Sequence, residues 1–227
     1  LAYIFLAAIS APLATYITVL ISSITVRNPG PVLQNVYKFW FTSCLLTVLI
    51  AMAAVSKLTH SLPDILLSYD QKLRWSRSYW AFSMYPLFWL NPHVKLVVDD
   101  SVKDLISCCY SDQKSKKATV VIGNHVSLLD PLIMPYLVGA NFCQHCCYLV
   151  NAELIDTKPF FSTCCLAAGC FLVHFMPNIS WNEFSVFKNK QVFENQRMRD
   201  HLKAGNAIAL YPEGGIIRYR PRIKGKY

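Results

Sequence analysis

Two long uncharged stretches open the chain, and beyond them the pattern changes to short apolar runs separated by polar ones. The first 26 residues carry no ionisable acid or base except tyrosine, and Arg27 is the first charge. As a helix this stretch would run ~39 Å, enough to cross a bilayer with tilt. A second uncharged run, Phe39 to Ser56, has 18 residues and would cover ~27 Å, a marginal crossing. Between the runs, Arg27-Asn28-Pro29-Gly30-Pro31 is a turn signal. The pattern predicts a membrane-anchoring helical hairpin over residues 1–58. One crossing plus one buried or interfacial helix is the alternative. Residues 59–92 read as a linker. Its Tyr79–Pro92 stretch holds Tyr79, Trp80, Phe82, Tyr85, Phe88 and Trp89 and is interrupted by Pro86. Tryptophan and tyrosine favour the headgroup level, so an interfacial element is expected there, with an aromatic core helix as the competing reading.

From residue 93 the period shortens. Strands are expected at Lys95–Val98, Ala118–Ile122, Cys147–Val150, Cys170–Val173 and Ala207–Tyr211, with a polar loop at Ser111–Lys117. Helices are expected at 127–138 and 188–204, the second stopped by Gly205. Strands alternating with helices predict an α/β domain over residues 93–227. Its partly parallel sheet would be flanked by helices and preceded by the N-terminal membrane helices. Sites in such sheets lie at the carboxyl ends of the strands.

Composition sharpens this picture. Hydrophobic residues make up 54% of the chain and charged ones 15%, which favours a membrane protein. The formal charge is +9, and Arg218, Arg220, Arg222, Lys224 and Lys226 crowd the last ten residues without an acid. Such a cluster suits a phosphate, coenzyme A or the anionic face of a membrane. The bases form no aromatic-interleaved patch, so nucleic acid is not an expected partner. Lys57, Lys72, Arg74, Arg77 and Lys95 follow the second apolar run, against Arg27 and Lys38 between the runs, which places the domain in the cytosol. The nine cysteines include three adjacent pairs and are odd in number, which reads as reduced thiols. Cys143, His145, Cys146 and Cys147 fit no standard zinc spacing, so no metal is expected. The sequon Asn178-Ile179-Ser180 would be silent on the cytosolic side. The chain opens at Leu1 without a basic lead, so a signal peptide is not expected, and a piece of a longer protein is.

Two motifs carry the candidate chemistry. In Asn124-His125-Val126-Ser127-Leu128-Leu129-Asp130 a histidine leads into a helix that begins near an aspartate. A carboxylate on one imidazole nitrogen fixes the tautomer and leaves the other nitrogen to accept a proton from a hydroxyl. In Tyr211-Pro212-Glu213-Gly214-Gly215 a strand delivers a glutamate into a glycine-rich turn, where backbone N–H groups can approach a phosphate and Arg218 can pair with it. Taken alone, the first motif reads as a surface histidine and a helix-starting aspartate, and the second as an ordinary turn. Ser127 has no nucleophile elbow around it, so a serine hydrolase is not expected.

In this order and spacing the two motifs resemble the glycerolipid acyltransferase family. The resemblance implies a membrane enzyme, at the endoplasmic reticulum with its catalytic domain facing the cytosol. It would move an acyl chain from acyl-CoA to a lysophospholipid, with acyl-CoA as co-substrate and no bound cofactor or metal. It assigns His125 as base, Asp130 as its orienter, and Glu213, Gly214, Gly215 and Arg218 to the acceptor site. Asn151-Ala152-Glu153-Leu154 and Phe171-Leu172-Val173-His174 are similar to the family's second block. Asn151 and His174 stand there where the family favours cations, and Gly215 replaces its usual threonine. Pro-Glu-Gly-Gly followed by hydrophobics and arginine is similar to the lysophosphatidylglycerol acyltransferase branch. The family's fourth block is absent from the sequence. The alternatives are a catalytically inactive, lipid-binding member and a membrane-anchoring protein without catalysis.

Overall fold

The computed structural model describes residues 2–124, 130–157, 159–174 and 188–211. The two apolar runs form α1 (Ala2–Thr25) and α2 (Pro31–Ser61). Pro31 opens α2 at its first turn, where a missing N–H costs nothing. Tyr37 Oη donates to Ser22 Oγ at 2.9 Å and closes the hairpin near its turn. Among the described residues, α2 is the one helix long and apolar enough to cross a membrane. It is also part of the fold. Met52, Ala53 and Ser56 are buried against the rest of the chain, and His60 Nε2 donates to Ala167 O at 2.9 Å.

The aromatic stretch belongs to α3 (Tyr69–Trp89). A capping box starts it: Ser68 Oγ accepts from Gln71 N while Gln71 Oε1 accepts from Ser68 N at 2.8 Å. The aromatic core reading holds on one face of this helix. Trp80, Ala81, Met84 and Leu87 are buried, whereas Trp75, Phe82 and Trp89, seven residues apart, stay exposed.

α4 (Asp100–Lys114) follows, started by Asp99, whose Oδ1 accepts from Ser101 N at 2.9 Å. Then come β1 (Thr119–Ile122), α5 (Asp130–Cys143), β2 (Cys146–Asn151), α6 (Ala152–Thr157), α7 (Pro159–Ala167), β3 (Phe171–Val173), α8 (Lys188–Lys203) and β4 (Ala207–Leu210). The four strands form a parallel sheet in the order β1-β4-β2-β3.

Two expectations are corrected. Lys95–Val98 is not a strand: it pairs with no neighbour among the described residues, and Val97 is 92% exposed. Its apolar run instead lies beside the end of α3. The polar loop expected at Ser111–Lys117 is mostly the last turn of α4, because the Asp99 cap and the apolar spacing of Val102, Ile106 and Cys109 carry the helix further.

The inner strands β2, β3 and β4 are covered on both faces, as is usual for parallel strands, while Val120 and Ile122 of β1 are exposed. On one face Cys146, Tyr148, Val150, Ala207 and Ala209 meet α3, α5, α7 and α2, with Trp80 stacked on Tyr148 at 5.5 Å between centroids. On the other, Cys147, Phe171 and Ile208 meet Met198 and Leu202 of α8. All nine cysteines are free thiols, and Cys108 alone is exposed. Burial pushes the thiols of Cys143 and Cys147 up to about 12, so they behave as small apolar groups.

β3 and β4 enter the sheet through the same device. Gly169 (φ 66°) and Gly205 (φ 76°) end α7 and α8 in Schellman turns, with Cys170 N donating to Cys165 O and Asn206 N to His201 O. A Cβ at Gly205 would meet the Lys116 carbonyl oxygen at 2.3 Å, so this turn also sets how β1 is led in.

Candidate active site

The site is built by register. β1 pairs with β4 in parallel, Ile122 beside Leu210, and Gly123 N donates to Leu210 O at 3.2 Å. The two motifs, far apart in sequence, therefore leave the sheet from neighbouring strands at the same level. His125 comes three residues after Ile122, and Glu213 three after Leu210. A Cβ on Gly123 would lie 3.2 Å from the Tyr211 ring, so glycine is what lets the two strand ends close on each other.

Asp130 opens α5, and its side chain is half-buried. A carboxylate is favoured there, since the first turn of a helix presents unpaired N–H groups. Tyr211 follows β4 directly. Burial, reinforced by the negative charge of Asp130 and by Cys146, pushes its phenol well above the usual range, so it stays a neutral hydroxyl donor. Tyr211 was legible only as part of a motif, and its electrostatic link to Asp130 depends on sheet order. Further along α5, Gly139 (φ 69°) breaks the helical dihedrals, and Tyr110 Oη donates to the preceding carbonyl, Val138 O.

The structure brings Asp130 and the lead-in residues of both motifs to one edge of the sheet. His125, Glu213, Gly214, Gly215 and Arg218 lie outside the described residues.

The other half of that edge is put to structural use. Asn151, in register with Val173, ends β2, and its Oδ1 accepts from Glu153 N at 3.0 Å to cap α6. His174 follows β3, and its N–H donates to Gln191 Oε1 at 3.2 Å. Gln191 Nε2 donates to Leu172 O, and Glu194 Oε2 accepts from Leu172 N at 3.2 Å. α8 thus satisfies the open side of β3 as a neighbouring strand would. Arg197 holds Glu194 through Nη1, at 3.0 and 2.9 Å from the two carboxylate oxygens, and lies over the Phe171 ring at 5.2 Å. Sequence reasoning missed Gln191 and Glu194, which sit in a polar helix with no local sign of a partner strand.

Among the described residues no group of three or more His, Cys, Asp or Glu is arranged to hold a metal ion. The cluster of Cys143, His145, Cys146 and Cys147 is divided instead: His145 Nδ1 lies 3.2 Å from Asn206 Oδ1, and Cys147 Sγ donates to Gly169 O.

Residues 106–226 match the family model described as Acyltransferase, a stretch that covers more than half of the chain and contains all four strands and both motifs. No curated protein and no solved structure matches the chain.

Proposed function

The chain belongs to the acyltransferase family, and from that premise we propose that it moves an acyl chain from acyl-CoA to a lysophospholipid hydroxyl at a membrane surface. His125 takes the hydroxyl proton while Asp130 fixes its tautomer. The acceptor oxygen bonds to the thioester carbonyl carbon. The tetrahedral intermediate then collapses, the carbon–sulfur bond breaks, and the leaving thiolate takes the proton from the imidazolium. The products are an ester and free coenzyme A, with His125 neutral again. Glu213, Gly214, Gly215 and Arg218 shape the acceptor's phosphate site, and Tyr211 keeps a neutral donor beside Asp130.

One observation carries this reading: the in-register pairing of Ile122 with Leu210, which makes neighbours of the strands that lead into the two motifs, with Asp130 opening the next helix. Two further features support it. α2 is long and apolar enough to cross a membrane, where both substrates partition, and the basic cluster after residue 217 suits an anionic head group.

The test is labelled acyl-CoA transfer to a panel of lysophospholipids by membranes carrying the protein or His125→Ala. Incorporation should fall about 10²–10⁴-fold in the variant. Background-level signals from both proteins across the panel would refute the enzyme reading.

A catalytically silent, lipid-binding member is the second reading. It is favoured by Asn151 and the His174 backbone, which are engaged in holding α6 and α8 where the family favours cations. Lysolipid binding without transfer would select it.

A further inference from the structure

α2 and α3 form an antiparallel hairpin that runs along the domain. Trp40 Nε1, early in α2, donates to Leu90 O just past α3 at 2.9 Å, and Lys72 Nζ, early in α3, donates to Leu62 O just past α2 at 2.5 Å. α2 is held to the domain over that whole length, since Met52 is 2% exposed and His60 Nε2 bonds to Ala167 O. From Trp40 to His60 is ~30 Å of helix, the full thickness of a hydrocarbon core. A crossing α2 would therefore carry α3 to bilayer depth beside it, with the exposed Arg74–Asp70 pair and the parts of the domain packed on both helices. Exposed charges and loop backbone are not tolerated there.

The turn between the two helices is rigid and apolar at its tip. Ile65 is 93% exposed and Leu66 69%. Leu66 N and Leu67 N donate to Pro63 O at 3.0 and 3.2 Å, and Lys72 Nζ also donates to Asp64 Oδ1 at 2.6 Å. Lys72 is 5% exposed. An ammonium is costly to bury unless paired, and its two partners both belong to this turn. Asp64 and Asp70 are the only acids from Lys57 to Trp89, and each is paired, Asp70 with Arg74 at 2.9 Å.

We infer that this turn is a lipid-inserting finger: Ile65 and Leu66 enter the acyl boundary of one phospholipid leaflet, and the α2–α3 hairpin lies along that leaflet instead of crossing it. The exposed side chains are aliphatic at the tip and aromatic along α3, at Trp75, Phe82 and Trp89, which matches the order in which a leaflet sorts them by depth. Exposed Lys57 near the end of α2 adds a positive charge, while the carboxylates at this end are neutralised, which suits a phosphate surface. This placement holds whether or not the protein transfers acyl groups.

The test uses the full chain in phosphatidylcholine–phosphatidylserine vesicles, with Cys108→Ser removing the one exposed cysteine among the described residues. A bimane on Ile65→Cys should lose fluorescence to lipids brominated high on the acyl chain, and lose less to lipids brominated near its methyl end. A bimane on Lys203→Cys, exposed at the end of α8, should lose none. Equal quenching at the two positions, or none at position 65, overturns the finger. Energy transfer between position-65 labels that grows with protein density would give the tip to a second copy and overturn it too. Sidedness tests the hairpin separately. In sealed vesicles with the domain outside, a membrane-impermeant maleimide should modify both Asn28→Cys and Ser61→Cys, which flank α2, without detergent. Modification of Asn28→Cys only after detergent means that α2 crosses, and overturns the placement.

Discussion

The sheet ends in two halves that share one edge and differ in use. At the β1/β4 half, Gly123 and Tyr211 close the strand ends and Asp130 begins the next helix. At the β2/β3 half, Asn151, Gln191 and Glu194 are committed to capping a helix and sealing a strand. Parallel strands expose unpaired N–H and C=O groups at their ends and along the outer strand. The chain answers that need with structure on one side, and the function proposed above gives the other side to chemistry. If so, substitutions in the first half should change turnover and leave stability alone, and those in the second should do the reverse.

The strongest test is Asp130→Asn, which keeps the shape and removes the charge proposed to orient the base. The transfer rate should fall about 10²–10⁴-fold, with the unfolding midpoint almost unmoved. A large loss of stability with residual turnover would assign Asp130 to the helix start and break the comparison. Next is Glu194→Ala. Glu194 is 6% exposed, and its removal strands Leu172 N and the Arg197 guanidinium. About 2–3 kcal/mol of stability should be lost in denaturant titration, while the transfer rate per folded molecule stays within a few-fold.

These predictions also mark what was legible in the sequence. The strands at 118–122, 147–150, 170–173 and 207–211 were visible because β-branched or apolar runs sit between turn residues, and Gly205 was visible as a helix stop. The membrane-length helix was equally plain. Lys95–Val98 failed because an apolar run does not by itself secure a partner strand: Leu96 is half-buried, and Val97 stays exposed. Strand order was invisible. Nothing local in Thr119–Ile122 or Ala207–Leu210 says that they are neighbours, although that pairing brings the lead-in residues of both motifs together. Gln191 and Glu194 were invisible for the same reason: their partners are backbone groups across a tertiary contact.

A smaller effect probes the far end of the strands as a control. His201 Nε2 donates to Ala207 O at 3.0 Å where β4 begins. Burial, with the positive charge of Arg77 adding to it, lowers this histidine from 6.5 to about 4. Above pH 6.5 neither state is protonated and the group contributes nothing to the pH dependence. Between 6.5 and about 4 the unfolded chain binds a proton that the folded chain refuses, so stability falls as pH drops through this window. Discounted for its partial exposure, the loss is about 2 kcal/mol. His201→Gln should flatten that slope in acid unfolding, with the rate of transfer at neutral pH unaltered. A slope unchanged by the substitution would assign the acid sensitivity elsewhere.

The finest distinction lies at Asn151. Asn151→Ala removes the side chain that accepts from Glu153 N, and the lost cap should cost about 1 kcal/mol. Asn151→Asp keeps an acceptor in the same place, so the cap and the stability should return. The aspartate differs in one respect, a negative charge at the end of β2. If this half of the edge is structural, the Asp variant should transfer acyl groups with an unchanged KM for the phosphate-bearing acceptor. If the acceptor's phosphate reaches β2, like-charge repulsion should raise that KM about tenfold or more at low salt, and added salt should reverse part of the rise. That result would merge the two halves into one binding edge, and the difference between them would then be one of folding alone.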